Sequence, residues 1–281
     1  YGATGLAFWT DSSAPLPWLV LPLVVGLAVA LAESAPVVLD DNVRTGLAAG
    51  MVLFLISHMP VPTFPEGAGA ALALAVPGVF GLIAWRLKTI TGPGAFAGIL
   101  VGFIVWGWGD WPSFALLALF FVLGSGATRL GYAVKKSQGL AQERKGARSV
   151  RHVLANGLVA ASCALVMGMN NGLEHVNDYF LAYGALAGSL AAATADTLGS
   201  EIGQLFRGRV WIFATSRVGR RGSQGGVSWP GSLATLAGAG LVSLAAVFLV
   251  REMLTTGEMM LALLCGTLAG AAGAFADSFL G

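Results

Sequence analysis

Charge is what this sequence has least of. Only 11% of its 281 residues are Asp, Glu, Lys or Arg, less than half of the roughly 25% usual in soluble globular domains. With 56% hydrophobic residues, this shortage excludes a disordered chain, which needs low hydrophobicity and high charge, and marks a membrane protein. The net charge is only +2, so the broad basic field of a nucleic-acid binder is missing and no nucleic acid is expected as a partner. The two cysteines, Cys163 and Cys265, each sit inside an apolar run. They show neither metal-ligand spacing nor a disulfide framework, and they read as small buried residues. The first ten residues contain no basic segment, so no signal peptide is expected. Alternating segments of about ten residues are also missing, which excludes a transmembrane β-barrel.

Glycine, in contrast, is abundant. The 40 glycines have no three-residue period, which excludes collagen. In a membrane chain they point to closely packed helices, because small residues let backbones approach where no hydrophobic effect separates helix from lipid.

Apolar stretches of helical length fall at about 16–32, 44–59, 67–86, 92–107, 112–128, 150–169, 179–198, 231–250 and 259–276, nine in all. Several are shorter than the ~20 residues of a perpendicular span, so broken or re-entrant segments are allowed for. The connections after the first, third, fifth and seventh stretches hold fifteen of the sixteen basic residues, and only Arg251 lies on the other side. The positive-inside rule then puts those connections in the cytoplasm. The expected fold is all-α, a polytopic transmembrane helix bundle of about nine spans, with the N-terminus outside and the C-terminus cytoplasmic. Trp9, Trp18, Trp106, Trp108 and Trp111 would mark the outer interface.

Two hydrophilic loops stand out. Arg129 to Arg151 carries seven basic residues against Glu143, and Gly199 to Trp229 carries five against Glu201. Taken alone, such loops signal topology and contact anionic lipid headgroups. Their neighbours suggest more. The run AYGALAGSLAAATADTLGSEIG places Asp196 and Glu201 at the end of a helix with Gly184, Gly188 and Ala192 at four-residue spacing. Acids in such a place face a polar cavity or a partner. On an ideal helix Asp196 and Ser200 share one stripe while Thr197 and Glu201 share the next, so the carboxylates point about 140° apart. Either both stripes border one cleft, or the helix unwinds near Gly199, or both acids pair with loop arginines.

The segment GRRGSQGG, 219–226, combines Arg220 and Arg221 with glycines and Ser223. Glycines let backbone N–H groups converge on an anion, and arginines add forked hydrogen bonds, so the loop suits phosphate. On the same face lie Lys135 and Lys136, Arg148, Arg151, His152 and Asn156. Asn156 reads equally as an interhelical hydrogen-bonding residue or a metal or phosphate contact, and His152 as interfacial. Asp277 ends another helix with closely spaced glycines on that side. Asn170, Asn171, Glu174, His175 and Asp178 cluster on the outer side and read as a solvated loop.

These segments together resemble the phytyl-phosphate kinase family of integral membrane proteins. In order, the matching pieces are TGPGAFAGILVGFIVW (91–106), Phe120 and Phe121 with GSGATRLGYAVKK (124–136), GARSVRHVLANG (146–157), ATADTLGSEIG (193–203), TSRVGRRGSQGGVSWPGSLA (215–234) and AGAFADSFLG (272–281). The resemblance implies transfer of a nucleotide γ-phosphoryl group, CTP foremost, to a membrane isoprenyl monophosphate such as phytyl phosphate. It also implies distant kinship with CTP-dependent polyprenol and dolichol kinases. Such chemistry asks the protein for positioning and charge neutralisation. Asp196 and Glu201, with Asp277, are then the expected Mg²⁺ ligands, and Asp196, Glu201 and Arg148 the catalytic groups. Lys135, Lys136, Asn156, Arg220, Arg221, Gly222, Ser223 and Gly225 are the expected nucleotide and phosphate contacts, at the cytoplasmic face.

The rival expectation is an ion-coupled transporter using the same acids, which would place them near span centres. Residues 1–62 form a transmembrane tail preceding the domain at 63–281. Its AESAPVVLDDN, with Glu33, Asp40, Asp41 and Asn42, resembles the end of a phytol or polyprenol kinase.

Overall fold

The computed structural model describes residues 67–137, 146–169, 176–205, 210–212, 217–219 and 226–280. The tail at 1–62, with its two apolar stretches and with Trp9 and Trp18, lies outside the described residues. So do the loop residues Arg220 to Gly225 and Asn170, Asn171, Glu174 and His175. The helices are α1 (Ala68–Arg86), α2 (Gly92–Arg129), the short α3 (Tyr132–Ser137), α4 (Val150–Met169), α5 (Val176–Gly203), α6 (Trp229–Leu249) and α7 (Thr256–Leu280). The protein is an all-α integral membrane protein. Five of these helices are long and apolar enough to cross a membrane, namely α1, α2, α6, Val150–Gly168 of α4 and Thr256–Ala276 of α7. The fifth helix, α5, carries Asp178, Asp196 and Glu201.

Although α2 is continuous in sequence, it is two limbs. Its backbone leaves the helix at Asp110, with φ 62° and ψ 174°, and Pro112 follows in the first turn of the second limb, where its missing N–H costs nothing. The chain reverses there. Gly94 near the start and Gly124 near the end both abut Arg148, and Gly102 of the first limb packs against Phe114 of the second. The apolar stretches 92–107 and 112–128 are therefore an antiparallel pair. Trp106, Trp108 and Trp111 surround the reversal; Trp108 is buried, and Trp111 is exposed.

Glycines and alanines set the helix spacing, as expected where packing rather than the hydrophobic effect joins helices. A Cβ on Gly157 of α4 would lie 2.9 Å from Val101 of α2, and one on Gly270 of α7 would lie 2.9 Å from Ala191 of α5. A Cβ on Gly238 of α6 would lie 3.2 Å from the Ala195 backbone. A core of Val101, Val105, Phe114, Leu116, Met167, Leu186, Leu190 and Val242 fills the centre, with the Tyr183 hydroxyl donating to the Ala246 carbonyl at 3.0 Å. Three short strands sit between α5 and α6. They are β1 (Val210–Ile212), β2 (Arg217–Gly219) and β3 (Gly226–Val227), antiparallel in the order β2-β1-β3. The hydrophilic loop thus has a folded frame, and the segment 220–225 joins its two outer strands.

Because α5 and α7 run in the same direction, with Gly270 beside Ala191 and Gly273 beside Ala192, the ends that carry Asp196 and Asp277 lie at one end of the bundle. Arg86, Lys88, Arg129, Lys135, Lys136, Arg148 and Arg151 sit at the helix termini of that same end, and Arg251 at the opposite one.

Candidate functional site

The site is assembled on α5. Near its C-terminal end the hydroxyls are satisfied within the helix, Thr194 to Leu190 O at 2.7 Å, Thr197 to Ala193 O at 2.8 Å and Ser200 to Thr197 O at 3.1 Å. The helix carries polar residues into the bundle without breaking. It stays helical through Gly199 to Gly203. Gly199 serves packing instead, since a side chain there would overlap Thr235 Oγ1 and press on the Gly231 backbone of α6. The unbroken helix presents both stripes to one polar pocket of about 170 Å³, lined by Asp196, Thr197, Ser200 and Glu201 together with Thr128, Arg148, His152 and Asn156. Of the alternatives read from the sequence, unwinding does not describe the helix, and both stripes border one cleft.

Arg148 is held from several sides. Its backbone N–H donates to Thr89 O and its carbonyl accepts from Thr91 N, each at 3.0 Å, in a parallel bridge with Ile90. Gly94 gives that carbonyl room, and Gly124 lets the guanidinium cross α2, where a Cβ would collide with Nη2. The guanidinium carbon lies 4.9 Å from the Phe120 ring centre and 5.9 Å from that of Phe121, a cation–π arrangement suited to a desolvated cation. Burial pushes its pKa down from the ordinary arginine value, and the Glu201 carboxylate pulls it back up. It remains a cation, as arginine does throughout the accessible pH range.

Lys135 lies elsewhere than its sequence role requires. From α3 it turns inward, and its ammonium donates to Glu201 Oε2 at 2.5 Å and to the carbonyls of Ala127 and Thr128 at 3.2 and 3.1 Å. An ammonium has three protons, so these bonds exhaust it, and only 1% of the residue is exposed. The reading of Lys135 as an anion clamp is corrected accordingly. It balances Glu201 and caps the end of α2. Lys136, its neighbour, is exposed. Asn156 donates to the His152 carbonyl of its own helix at 2.9 Å and makes no interhelical hydrogen bond among the described residues, while it lines the pocket.

Sequence reasoning passed over His152, Thr128, Thr197 and Ser200 as pocket residues. His152 accepts from the Ser149 backbone N–H on Nδ1 at 3.4 Å and meets the Ser149 hydroxyl at 2.9 Å. A ring nitrogen that accepts from a backbone N–H is unprotonated, so the tautomer with hydrogen on Nε2 fits this geometry. The signal that points to these residues is spacing: His152 lies four residues before Asn156, and Ser200 four after Asp196.

A second cavity, apolar and about 60 Å³, adjoins the first between α1, both limbs of α2 and the start of α4. Arg148 and His152 line both.

The donors around the polar pocket suit a hard divalent cation. They are the carboxylates of Asp196 and Glu201 with hydroxyl and amide oxygens, and among the described residues no group of three or more acidic, His or Cys side chains lies close enough together to hold one ion. Mg²⁺ takes one or two carboxylates and completes its shell with phosphate and water, so this sparse set fits it. Asp277 lies on α7, at the same end of the bundle.

Residues 75–281 match the family of integral membrane proteins DUF92, and the chain belongs to that family. It is 31% identical to the uncharacterized membrane protein MJ0933 of Methanocaldococcus jannaschii over 72% of this chain and 78% of that one. It is also 31% identical to the membrane protein sll0875 of Synechocystis, over 49% of this chain and 52% of the relative. Protein VTE6, chloroplastic, of Arabidopsis thaliana is 29% identical over 52% of this chain and 44% of its own length. No solved structure matches the chain.

Proposed function

We propose that the protein is a membrane phosphotransferase that passes the γ-phosphoryl group of a nucleoside triphosphate, CTP foremost, to an isoprenyl monophosphate such as phytyl phosphate, giving the diphosphate. The observation that carries this reading is the polar pocket lined together by Asp196 and Glu201 of α5, Arg148 and Asn156, at the bundle end where the basic residues collect. The ordered motif resemblance and the relationship to VTE6 support it.

In this reading an oxygen of the acceptor phosphate attacks the γ-phosphorus, the bond from that phosphorus to the β–γ bridging oxygen breaks, and CDP leaves. The nucleophile is already an anion, so no strong general base is required. Arg148 holds the acceptor phosphate and offsets its charge, with a planar fork that matches phosphate geometry. Asp196 and Glu201, with Asp277, would hold Mg²⁺, which supplies neutralisation of the triphosphate. The glycine-rich segment with Arg220, Arg221, Gly222, Ser223 and Gly225 binds the donor phosphates, and Lys136 adds positive potential at the entrance. The strands that flank this segment support the assignment, because β3 leads directly into Ser228, the N-cap of α6, and Ser228 Oγ would lie 3.0 Å from a Cβ on Gly203, at the end of α5. The pocket faces the cytoplasm, where the nucleotide is.

The test is purified protein with Mg²⁺ and γ-labelled CTP against phytyl, geranylgeranyl and shorter monophosphates, with free phytol in parallel. Label is expected in the diphosphates alone. No transfer to any monophosphate overturns the proposal, and efficient labelling of phytol would show that the chain phosphorylates the free alcohol as well.

A further inference from the structure

The two cavities differ in chemistry and meet at one cation. Polar groups line the larger, whereas the smaller is walled by Phe80, Phe121, Ala84, Gly98, Ala118 and Val153. Arg148 belongs to both walls: it lines the polar pocket together with Asp196 and Glu201, and its guanidinium lies over the Phe120 ring. A site so divided fits a molecule that is itself divided, an anionic head joined to a hydrocarbon chain. A free nucleotide or inorganic phosphate would leave the apolar wall uncovered.

Resting on the function proposed above, we infer that the apolar cleft between α1, α2 and α4 seats the hydrocarbon carbons next to the phosphate of the isoprenyl acceptor, and that Arg148 marks the head–tail boundary. The cleft, at about 60 Å³, is the smaller of the two cavities, so it takes only the beginning of the chain. The remainder lies in the bilayer beside exposed residues of α1 and α2 such as Leu82, Phe96 and Leu100. Recognition then concerns the isoprene unit at the phosphate more than total chain length. Gly98 lines the cleft. A Cβ there would make only ordinary contact, 3.6 Å from Ile90 Cδ1, so the fold does not require glycine at this position.

The experiment uses the full chain in phosphatidylcholine nanodiscs and a geranyl monophosphate analogue with a diazirine in its first isoprene unit. Crosslinks are expected within 77–84 and 114–121, removed by excess phytyl monophosphate but not by inorganic phosphate or additional phosphatidylcholine. Gly98→Val should weaken the labelling and raise KM for phytyl monophosphate by about tenfold, the scale set by extra carbon atoms in an apolar pocket. Gly98→Ala should act in the same direction to a lesser degree. Gly184→Val, the same change on an open face of α5, should behave as wild type. Labelling on the outward faces of α6 and α7, or unchanged labelling and KM in Gly98→Val, overturns the inference. Crosslinks in the cleft without phosphoryl transfer from any nucleotide leave the inference standing and overturn the kinase. Transfer with labelling elsewhere does the reverse.

Discussion

Lys135 Nζ lies 2.5 Å from Glu201 Oε2, and the two side chains are only 1% and 4% exposed. The pair joins the short helix after α2 to the end of α5, so the acid in the pocket is held by a cation that no ligand can reach. A buried ion pair contributes little over a well-packed apolar pair, but removing one partner leaves the other charge uncompensated.

Glu201→Gln and Lys135→Met should each lower stability by about 3–5 kcal/mol, seen as a fall in the thermal unfolding midpoint in detergent. The double variant Lys135→Met/Glu201→Leu should lie closer to wild type than either single change. Additive losses would show that the two residues act separately.

Gly124→Ala tests the placement of Arg148. The added methyl collides with Nη2, the far end of a flexible side chain, so the guanidinium can move while the helices stay. The expected result is a wild-type unfolding midpoint with KM for the isoprenyl monophosphate raised about tenfold, comparable to the loss in Arg148→Lys, which removes the planar fork. Normal kinetics in Gly124→Ala would mean that the observed position of the guanidinium is immaterial.

The helices were legible because a span is written as an uninterrupted apolar run, and the reversal at Asp110 because polar and helix-breaking residues interrupt one. The common cleft of Asp196 and Glu201 was legible only as one of three alternatives, since a helical wheel gives directions but not the width of the cavity beyond. Gly199 illustrates the ambiguity of glycine, which signals either a break or a close crossing, and only Thr235 and Gly231 across the interface decide. Lys135 was misread because a lysine in a basic loop looks solvated; its inward turn depends on carbonyls and a carboxylate from distant segments. The strands of two and three residues are too short to show a period. The apolar cleft draws on α1, α2 and α4, so no local pattern announces it.

Asp196→Asn should leave the fold intact and reduce kcat by about a hundredfold or more, in line with the several kcal/mol that a cation ligand contributes to charge stabilisation. Chelation of Mg²⁺ should produce the same loss in the wild-type protein and little further loss in the variant. Wild-type turnover in Asp196→Asn would remove the carboxylate from the ion site.

The orientation of the bundle is open to direct measurement. Basic residues at the ends of α1, α2 and α3 and the start of α4 share one end, and Arg251 sits at the other, so the positive-inside rule gives that first end to the cytoplasm. The experiment begins by replacing Cys163 and Cys265, the second of which is exposed, and then introduces single cysteines at Lys136, Arg220 and Arg251. An impermeant thiol reagent added to sealed, right-side-out vesicles should label position 251 alone, and inside-out vesicles should label 136 and 220. Shared sidedness of 136 and 220 is required by the proposed mechanism as well as by the expected topology, because the loop proposed to bind the nucleotide and the pocket proposed to bind the acceptor must open to the same compartment. Labelling of those two positions from opposite sides would refute both.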